Sequence, residues 1–157
     1  MSKVTIDAID RKILKFLIKN ARMPFLEIAR ECGISGAAIH QRIKKLEDMG
    51  VIQGSRLTVE PKSLGFDVCA FINIKVLDIK RQQDTVDHLK HIPEIVECHY
   101  MTGAFNLMAK LYCLDNEHLM NTIYNKILQV PGVSETETYV SLIEAFSREI
   151  YIDIVQG

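Results

Sequence analysis

The residues best suited to chemistry lie on one face of a helix predicted from Gly36 to Met49. Small residues come first on this face, and hydrogen-bond donors follow them. A helix that reads the major groove of DNA needs that order, because bulky side chains in its first turns would hold the backbone away from the base edges. The candidate DNA-contacting residues are Ser35, Gly36, Ala37, His40, Gln41, Arg42, Lys44 and Lys45. A solvated helix face that happens to be basic is the alternative interpretation.

A second grouping, of histidines and aspartates, could suggest a metal site. His88 and His91 lie three residues apart on a predicted helix, and Asp84 and Asp87 are close to them in the sequence. Such a set can ligate a divalent ion, but a solvated helix face has the same composition. We therefore predict no metal site.

The sequence also gives little support for a pair of catalytic residues. Cys98 and His99 are neighbours on a predicted strand, so they point to opposite faces and cannot act together. Glu135 and Glu137 share a strand face, as paired catalytic carboxylates would, but solvent-facing carboxylates at a strand edge explain them equally well. No nucleophile-elbow, Walker or dinucleotide-binding pattern is present. We expect neither an enzyme nor a cofactor.

Three short helices position the basic face. The spacing of apolar residues predicts an amphipathic helix over Asp7–Lys19 and a second helix from Pro24 to Gly33. Gly33 can adopt the left-handed conformation of a sharp turn, and Ser35 is a suitable N-cap for the third helix. Two helices joined by such a turn indicate a helix-turn-helix.

The residues after the third helix change in character. Val51–Ile52 and Gly54–Val59 predict one or two short strands, which would make the helix-turn-helix winged. Pro61 and Gly65 then bracket a linker. The predicted organisation is a DNA-binding domain over 1–60, a linker over 61–66 and a second domain over 67–157.

Charge is distributed unevenly between these parts. Residues 1–60 carry eleven Lys and Arg against seven Asp and Glu, a net +4, whereas residues 61–157 carry eight against thirteen, a net −5. Phosphate neutralisation supplies most sequence-independent DNA affinity, so only the first part is expected to meet DNA. No signal sequence or membrane-length apolar run is present, and the four cysteines form no CxxC pair. We expect a cytoplasmic protein with reduced cysteines.

The second domain contains a duplication. A strand, a helix and a turn from Val76 to Glu97 are repeated about 37 residues later, from Cys113 to Glu135. The predicted strands and helices are Val68–Val76, Arg81–Lys90, Val96–Met101, Leu107–Cys113, Glu117–Leu128 and Glu135–Ile143. This order is βαββαβ, a ferredoxin-like unit with both helices on one face of an antiparallel sheet. The predicted fold class is therefore α+β.

The first of these strands indicates which face is buried. One row of its side chains is fully apolar and should be core, and the other row is mixed: Ala70, Ile72, Ile74 and Val76 against Cys69, Phe71, Asn73 and Lys75. A four-stranded sheet covered on one side leaves the other side bare. We expect that bare face to pack on a second copy in a homodimer.

Several separated motifs resemble the Lrp/AsnC, or feast/famine, family of transcription regulators. The longest is the run from Gly33 to Ile52, and others are Ile9–Leu14, Val59–Pro61, Leu64–Phe66, Tyr100–Gly103 and Glu135–Thr138. They occur in the family's order and extend over nearly the whole chain. This is more specific than a helix-turn-helix alone.

The resemblance implies a regulator that binds double-stranded DNA, is associated with the nucleoid and responds to a small amino-acid effector. Family members dimerise through their sheets and commonly assemble four dimers into an octamer, with effectors bound between dimers. Carried over by position, the effector residues are Tyr100, Met101, Thr102, Gly103, Ala104, Phe105 and Asn106, with Thr136 and Thr138 from a neighbouring strand. Gly103 would let the ligand approach the backbone closely.

The chain departs from the family pattern in this loop. Many members carry acidic residues after the glycine, where this chain has Ala104 and Asn106. The loop is more similar to the asparagine-sensing branch, and Asn106 could hydrogen-bond a polar ligand, so asparagine or another small polar amino acid is preferred. A simple β-turn is the alternative reading of the loop. For the whole chain the alternative is a DNA-compacting protein or an amino-acid sensor that regulates no particular promoter.

Overall fold

The computed structural model describes residues 5–152, and the chain divides into two compact units. The first unit takes in Met1–Thr58 and Phe146–Gly157, of which residues 5–58 and 146–152 are described; the second is Val59–Ala145. The predicted bounds of 1–60, 61–66 and 67–157 differ from this division chiefly at the described residues 146–152, which belong to the first unit. The predicted linker begins with a 3-10 turn over Pro61–Leu64.

Three helices form the first unit: α1 (Ala8–Lys19), α2 (Phe25–Cys32) and α3 (Gly36–Asp48). Each lies within about a residue of its predicted bounds, because the local capping signals are used as the sequence indicates. Gly33 ends α2 with a φ of 67°, and the Ser35 hydroxyl accepts the Ala38 N–H at 3.1 Å. The core between the helices consists of buried aliphatic side chains, namely Ile13, Ile28, Ala29, Ile39 and Ile43.

The predicted strands at Val51–Ile52 and Gly54–Val59 are wrong for this chain as described. Among residues 5–152 no strand forms between the end of α3 and residue 68. Leu57 is 75% exposed and Val59 50% exposed. A β-type sequence becomes a strand only when another backbone supplies ladder hydrogen bonds, and none of the described backbone does so here.

The second unit is built on one antiparallel sheet. Its strands are β1 (Val68–Val76), β2 (Ile95–Tyr100), β3 (Leu107–Cys113) and β4 (Val133–Ser141), in the spatial order β2-β3-β1-β4. The helices are α4 (Gln82–Leu89) and α5 (Asn116–Asn125), and a 3-10 turn over Ile127–Gln129 replaces the predicted last turn of α5. The βαββαβ order and the ferredoxin-like fold are therefore confirmed.

The two faces of the sheet differ as the alternation in β1 predicts. The apolar row is buried with residues of β3 and of the helices, in a core of Ile72, Ile74, Val76, Val86, Leu89, Ile92, Leu107, Ala109, Leu111, Ile127 and Val130. On the opposite face the ammonium of Lys110 lies over the rings of Phe71 and Tyr112, 5.9 and 5.3 Å from their centroids. Lys75 forms an ion pair with Glu135 on the same face. That face is aromatic and charged.

A buried carboxylate joins the segment before β2 to α5. Glu94 accepts hydrogen bonds from Lys126 and, at 2.9 Å, from His118 Nε2. The Leu114 N–H donates to His118 Nδ1, so the ring proton that faces Glu94 is on Nε2. Burial raises the pKa of Glu94, but the hydrogen bonds from Lys126 and His118 outweigh burial and hold that pKa below its usual value.

Replacement of Glu94 by Gln should lower the melting temperature near neutral pH, and the deficit should shrink in acid. Because the folded-state pKa of Glu94 is depressed, its carboxylate contributes stability above the unfolded-state pKa of about 4.3. That stability is lost as the pH falls through the lower folded value. Thermal denaturation followed by circular dichroism, between about pH 7 and about pH 3, measures this change.

The matched control is Glu117→Gln, which removes an exposed carboxylate from the first turn of α5. It should leave the difference in melting temperature small at every pH. A deficit in Glu94→Gln that stays constant from neutral to acid pH would contradict the assigned role of this carboxylate.

Candidate nucleic-acid interface and effector loop

The outer face of α3 presents the donors that the sequence singled out. Ala37, His40, Gln41, Lys44 and Lys45 are all exposed. They come from the same helix that buries Ile39, Ile43 and Leu46, because a period of 3.6 residues separates the two sets onto opposite faces. The exposed face therefore has short side chains near the beginning of α3 and longer amide and ammonium donors further along the helix.

Three residues in or just before the first turns of α3 make structural contacts of their own. Ser35 caps the helix, and Gly36 gives room to a neighbour, since a Cβ at Gly36 would lie 2.8 Å from Leu26 Cδ2. His40 packs edge-on against the ring of Phe25, with the centroids 5.3 Å apart. These contacts fix the path of the helix before any DNA is bound.

Arg42 is the residue whose place differs most from the sequence analysis. One nitrogen of its guanidinium lies 2.6 Å from Asp7 Oδ2 and 2.7 Å from Asp10 Oδ1. Asp10 is fully buried, and the hydrogen bond with Arg42 is the main reason why the pKa of Asp7 is lowered. The hydrogen bonds to Asp7 and Asp10 in turn raise the pKa of Arg42. Arg42 therefore ties α3 to the beginning of α1.

The predicted effector loop connects β2 to β3 and is anchored at Asn106. The backbone oxygen of Asn106 accepts the Met101 N–H at 2.8 Å, and its own N–H donates to the Ile74 oxygen at 3.1 Å. Gly103 has a φ of 115°, a backbone conformation that residues other than glycine rarely adopt. Thr102, Gly103 and Ala104 are exposed, and Phe105 is half-buried. The loop is a shaped, accessible turn.

The carboxamide oxygen of Asn106 is committed to the fold. Its Oδ1 accepts the Val76 N–H at 2.8 Å, at the end of β1. We expected this carboxamide to bond a polar ligand, but its oxygen is used within the chain. Asn106 thus shapes the loop from its base.

The first turn of α4 carries two contacts that sequence reasoning missed. Gln82 Nε2 donates to the backbone oxygen of Asn106 at 3.0 Å, and Gln83 Oε1 accepts the Tyr100 hydroxyl at 2.7 Å. Consecutive residues of one helix therefore hold both ends of the loop. Two adjacent glutamines at a helix start carry no sequence signal for such contacts, which depend on how α4 lies on the sheet.

The two threonines of the predicted site are far from the loop within one chain. Tyr100 pairs with Leu107, Leu107 with Ile74, and Ile74 with Thr136. Three strand spacings therefore separate Tyr100 from Thr136, about 14 Å. Thr138 is two residues further along the same edge strand. Within one chain these threonines lie at the edge of the sheet opposite to the loop, so a single copy does not bring them to it.

The two histidines that the sequence singled out bond backbone oxygens of α4. The Nδ1 atoms of His88 and His91 bond the backbone oxygens of Asp84 and Asp87, each at 2.8 Å. Within residues 5–152 no group of three or more His, Cys, Asp or Glu side chains is placed to hold a metal ion. All four cysteines are unpaired, and burial raises the pKa of each thiol. No helix in the described part of the chain is long and apolar enough to cross a membrane.

Comparison with known sequences gives two family matches. The description "Lrp/AsnC ligand binding domain" applies to residues 69–150, and "Winged helix-turn-helix DNA-binding" applies to residues 6–53. Regulatory protein AsnC of Escherichia coli is 35% identical over 150 residues, an alignment that covers 96% of this chain and 99% of that protein. An HTH-type transcriptional regulator of Pyrococcus horikoshii is 34% identical over 140 residues, covering 89% of this chain and 91% of that protein.

Solved structures give the same picture. The structure of AsnC from E. coli superposes with a TM-score of 0.88 at 35% identity, covering 94% of this chain and 99% of that chain. A feast or famine regulatory protein from M. tuberculosis, complexed with L-methionine, has a TM-score of 0.87 at 26% identity, again covering 94% and 99%. Both domains of the chain are thus found together in these proteins.

Arg42 and Lys44 should respond differently to replacement by Met. Arg42→Met removes the guanidinium from Asp7 and leaves the buried Asp10 with only the more distant ammonium of Lys45, at 3.7 Å. It should therefore destabilise the protein by about 1–3 kcal/mol, a range lowered for the partial exposure of Arg42. Lys44→Met should leave the melting temperature unchanged, weaken DNA binding on all sequences and reduce the salt slope by about one.

Thermal denaturation and fluorescence titrations with duplex DNA at two or more salt concentrations measure both effects. If Arg42→Met melts at the wild-type temperature, the ion pairs of Arg42 with Asp7 and Asp10 do not stabilise the fold. If Lys44→Met binds DNA as wild type does, with the same salt dependence, the exposed face of α3 is not the interface.

Proposed function

Because the chain belongs to the Lrp/AsnC family, we propose that it binds DNA through the exposed face of α3 and adjusts that binding to an amino acid held at the Tyr100–Asn106 loop. It is a DNA-binding transcription regulator with an amino-acid ligand-binding domain. The observation that carries the proposal is the separation of tasks between the two units. One unit presents donors on an exposed helix, and the other presents an accessible, rigidly anchored turn.

On the DNA side, the exposed residues of α3 divide by chemistry. Gln41 carries a carboxamide that can donate to and accept from a base edge, so we assign it to sequence preference. Lys44 and Lys45 are ammonium donors suited to phosphate, although Lys45 also lies 3.7 Å from Asp10. Ala37 and Gly36 let the beginning of the helix approach the groove. Arg42 is left out of the DNA-contacting set because Asp7 and Asp10 hold it.

On the effector side, we propose a small polar amino acid, with asparagine as the first candidate. The loop has no carboxylate at Ala104 or Asn106, so a ligand with a further positive charge gains nothing there. A related regulator was solved with L-methionine, which supports amino acids as the class of ligand.

Assembly completes the proposal. The Tyr100 loop and Thr136 lie at opposite edges of the sheet, so one small ligand cannot contact both in a single chain. We propose that a homodimer forms through the sheet face that carries Phe71, Lys110 and Tyr112, and that dimers assemble further to an octamer. A chain of a neighbouring dimer then supplies the missing edge. An effector bound between copies would favour one assembly state through its higher affinity for that state.

The proposal includes no catalytic step, and it places the protein in the cytoplasm, on the nucleoid. Footprinting on genomic fragments, with competitor DNA and with or without amino acids, tests it. Discrete protected sites that an amino acid changes support regulation of particular promoters. Uniform protection that no amino acid alters would instead support a DNA-compacting protein and contradict the proposal.

A charge at Gly103 should abolish the effector response and spare DNA binding. Gly103→Asp adds a side chain where φ is 115° and places a carboxylate at the tip of the loop. Thermal shift against the twenty amino acids should show a ligand-induced rise in melting temperature for wild type and none for the variant. Affinity for DNA without ligand should be unchanged.

Ala104→Asp is the matched control, because it adds the same charge one residue later, where the backbone φ is not positive. This variant should keep a ligand-induced rise. An identical rise in wild type and Gly103→Asp would refute the loop as the effector site.

A further inference from the structure

A series of hydrogen-bonded polar side chains runs along α4 and ends at the effector loop. Lys90 Nζ lies 3.0 Å from Asp87 Oδ1, and Gln83 Nε2 donates to the same oxygen at 3.0 Å. Gln83 Oε1 then accepts the Tyr100 hydroxyl at 2.7 Å. Tyr100 is the last residue of β2 and the first of the predicted effector residues, and it is 57% exposed.

The ionisation state of Asp87 determines the direction of every hydrogen bond in this series. Hydrogen bonds from Lys90 and then Gln83 lower the pKa of Asp87, so its carboxylate is ionised at neutral pH and only accepts. The amide nitrogen of Gln83 must therefore face Asp87, and the amide oxygen must face Tyr100. An amide oxygen has no proton to give, so the Tyr100 hydroxyl must be the donor.

The orientation leaves the Tyr100 oxygen as an acceptor. A phenol has one proton and two lone-pair positions, and the proton is used by Gln83. A ligand at the loop therefore meets lone pairs at this oxygen, which suit a positively charged donor and repel a carboxylate. A freely rotating hydroxyl would serve either group.

We propose that the Tyr100 oxygen accepts a hydrogen bond from the α-ammonium of the amino-acid effector, and that Gln83 is the positioning residue that turns this hydroxyl. The inference rests on the proposed function and deepens it. It supplies a partner for the ammonium in a loop that has Ala104 and Asn106 where an acid is expected. It also gives α4 a part in ligand choice that the family resemblance does not assign.

The test compares an amino acid with the same molecule lacking its ammonium group. The twenty standard amino acids are screened by thermal shift, and a binder is paired with its deamino acid, which is succinamate for L-asparagine. Tyr100→Phe removes the acceptor, and Gln83→Leu leaves the hydroxyl without its orienting partner. Gln83→Glu loses the N–H that Gln83 donates to Asp87, but its carboxylate, repelled by Asp87, still offers an acceptor to the Tyr100 hydroxyl. Tyr124→Phe, at an exposed tyrosine of α5, is the control for loss of a phenol.

Calorimetric titration should show that Tyr100→Phe weakens the amino acid by about tenfold or more, as expected for loss of a hydrogen bond to a charged group, with the deamino acid unaffected. Gln83→Leu should weaken the amino acid less, again selectively. Gln83→Glu and Tyr124→Phe should keep the wild-type preference, and all four variants should bind DNA normally without ligand.

The outcomes separate the two claims. If Tyr100→Phe and Gln83→Leu weaken both ligands by the same factor, or neither ligand, the inference is overturned and the effector site stands. If no amino acid stabilises the wild-type protein, the proposed effector response itself fails and the inference falls with it. A selective loss in Gln83→Leu that Gln83→Glu does not share supports the positioning role.

Discussion

Strand β1 pairs with β3 on one side and with β4 on the other, and the rest of the second unit depends on this placement. It puts β2 and β4 at opposite edges of the sheet. The row Tyr100, Leu107, Ile74 and Thr136 therefore crosses the whole sheet on its helix-covered face. A ligand the size of an amino acid contacts only one end of such a row. The proposed effector site therefore needs a second chain to supply the other end of the row.

Carboxylates orient the functional groups in both units. Asp10, fully buried, holds Arg42 and so sets how α3 lies against α1. Asp87, ionised at the surface of α4, fixes the amide of Gln83 and through it the hydroxyl of Tyr100. A carboxylate can only accept hydrogen bonds when ionised, so each one imposes a direction on its partners. These hydrogen bonds orient Arg42 and the Tyr100 hydroxyl without any ligand.

Residues of the right type for binding can be occupied by the fold. The guanidinium of Arg42 could bind a phosphate, and the carboxamide of Asn106 could bind a ligand. Instead Arg42 bonds Asp7, and the Asn106 oxygen accepts the Val76 N–H. The loop consequently has its base fixed at Asn106 and its accessible atoms at Thr102, Gly103 and Ala104. Because polar groups of the fold need hydrogen-bond partners, fewer side chains are available to bind DNA or a ligand.

The sequence by itself determined the local elements and their order. The caps at Asp7 and Ser35 and the left-handed turn at Gly33 act over a few residues, so the helix bounds were predictable. Alternation along β1 likewise predicted which sheet face is core, and the repeated strand-helix-strand pattern predicted the fold.

Only the tertiary structure decided which side chains meet. The pairing of Arg42 with Asp7 and Asp10, of Gln83 with Tyr100 and of Asn106 with Val76 joins residues between 17 and 35 positions apart. The strands expected after α3 are absent from the described chain because no described backbone pairs with them. Periodicity reports how a segment buries one face, whereas strand register and helix placement determine the partners of a polar group, and these are set by packing of the whole domain.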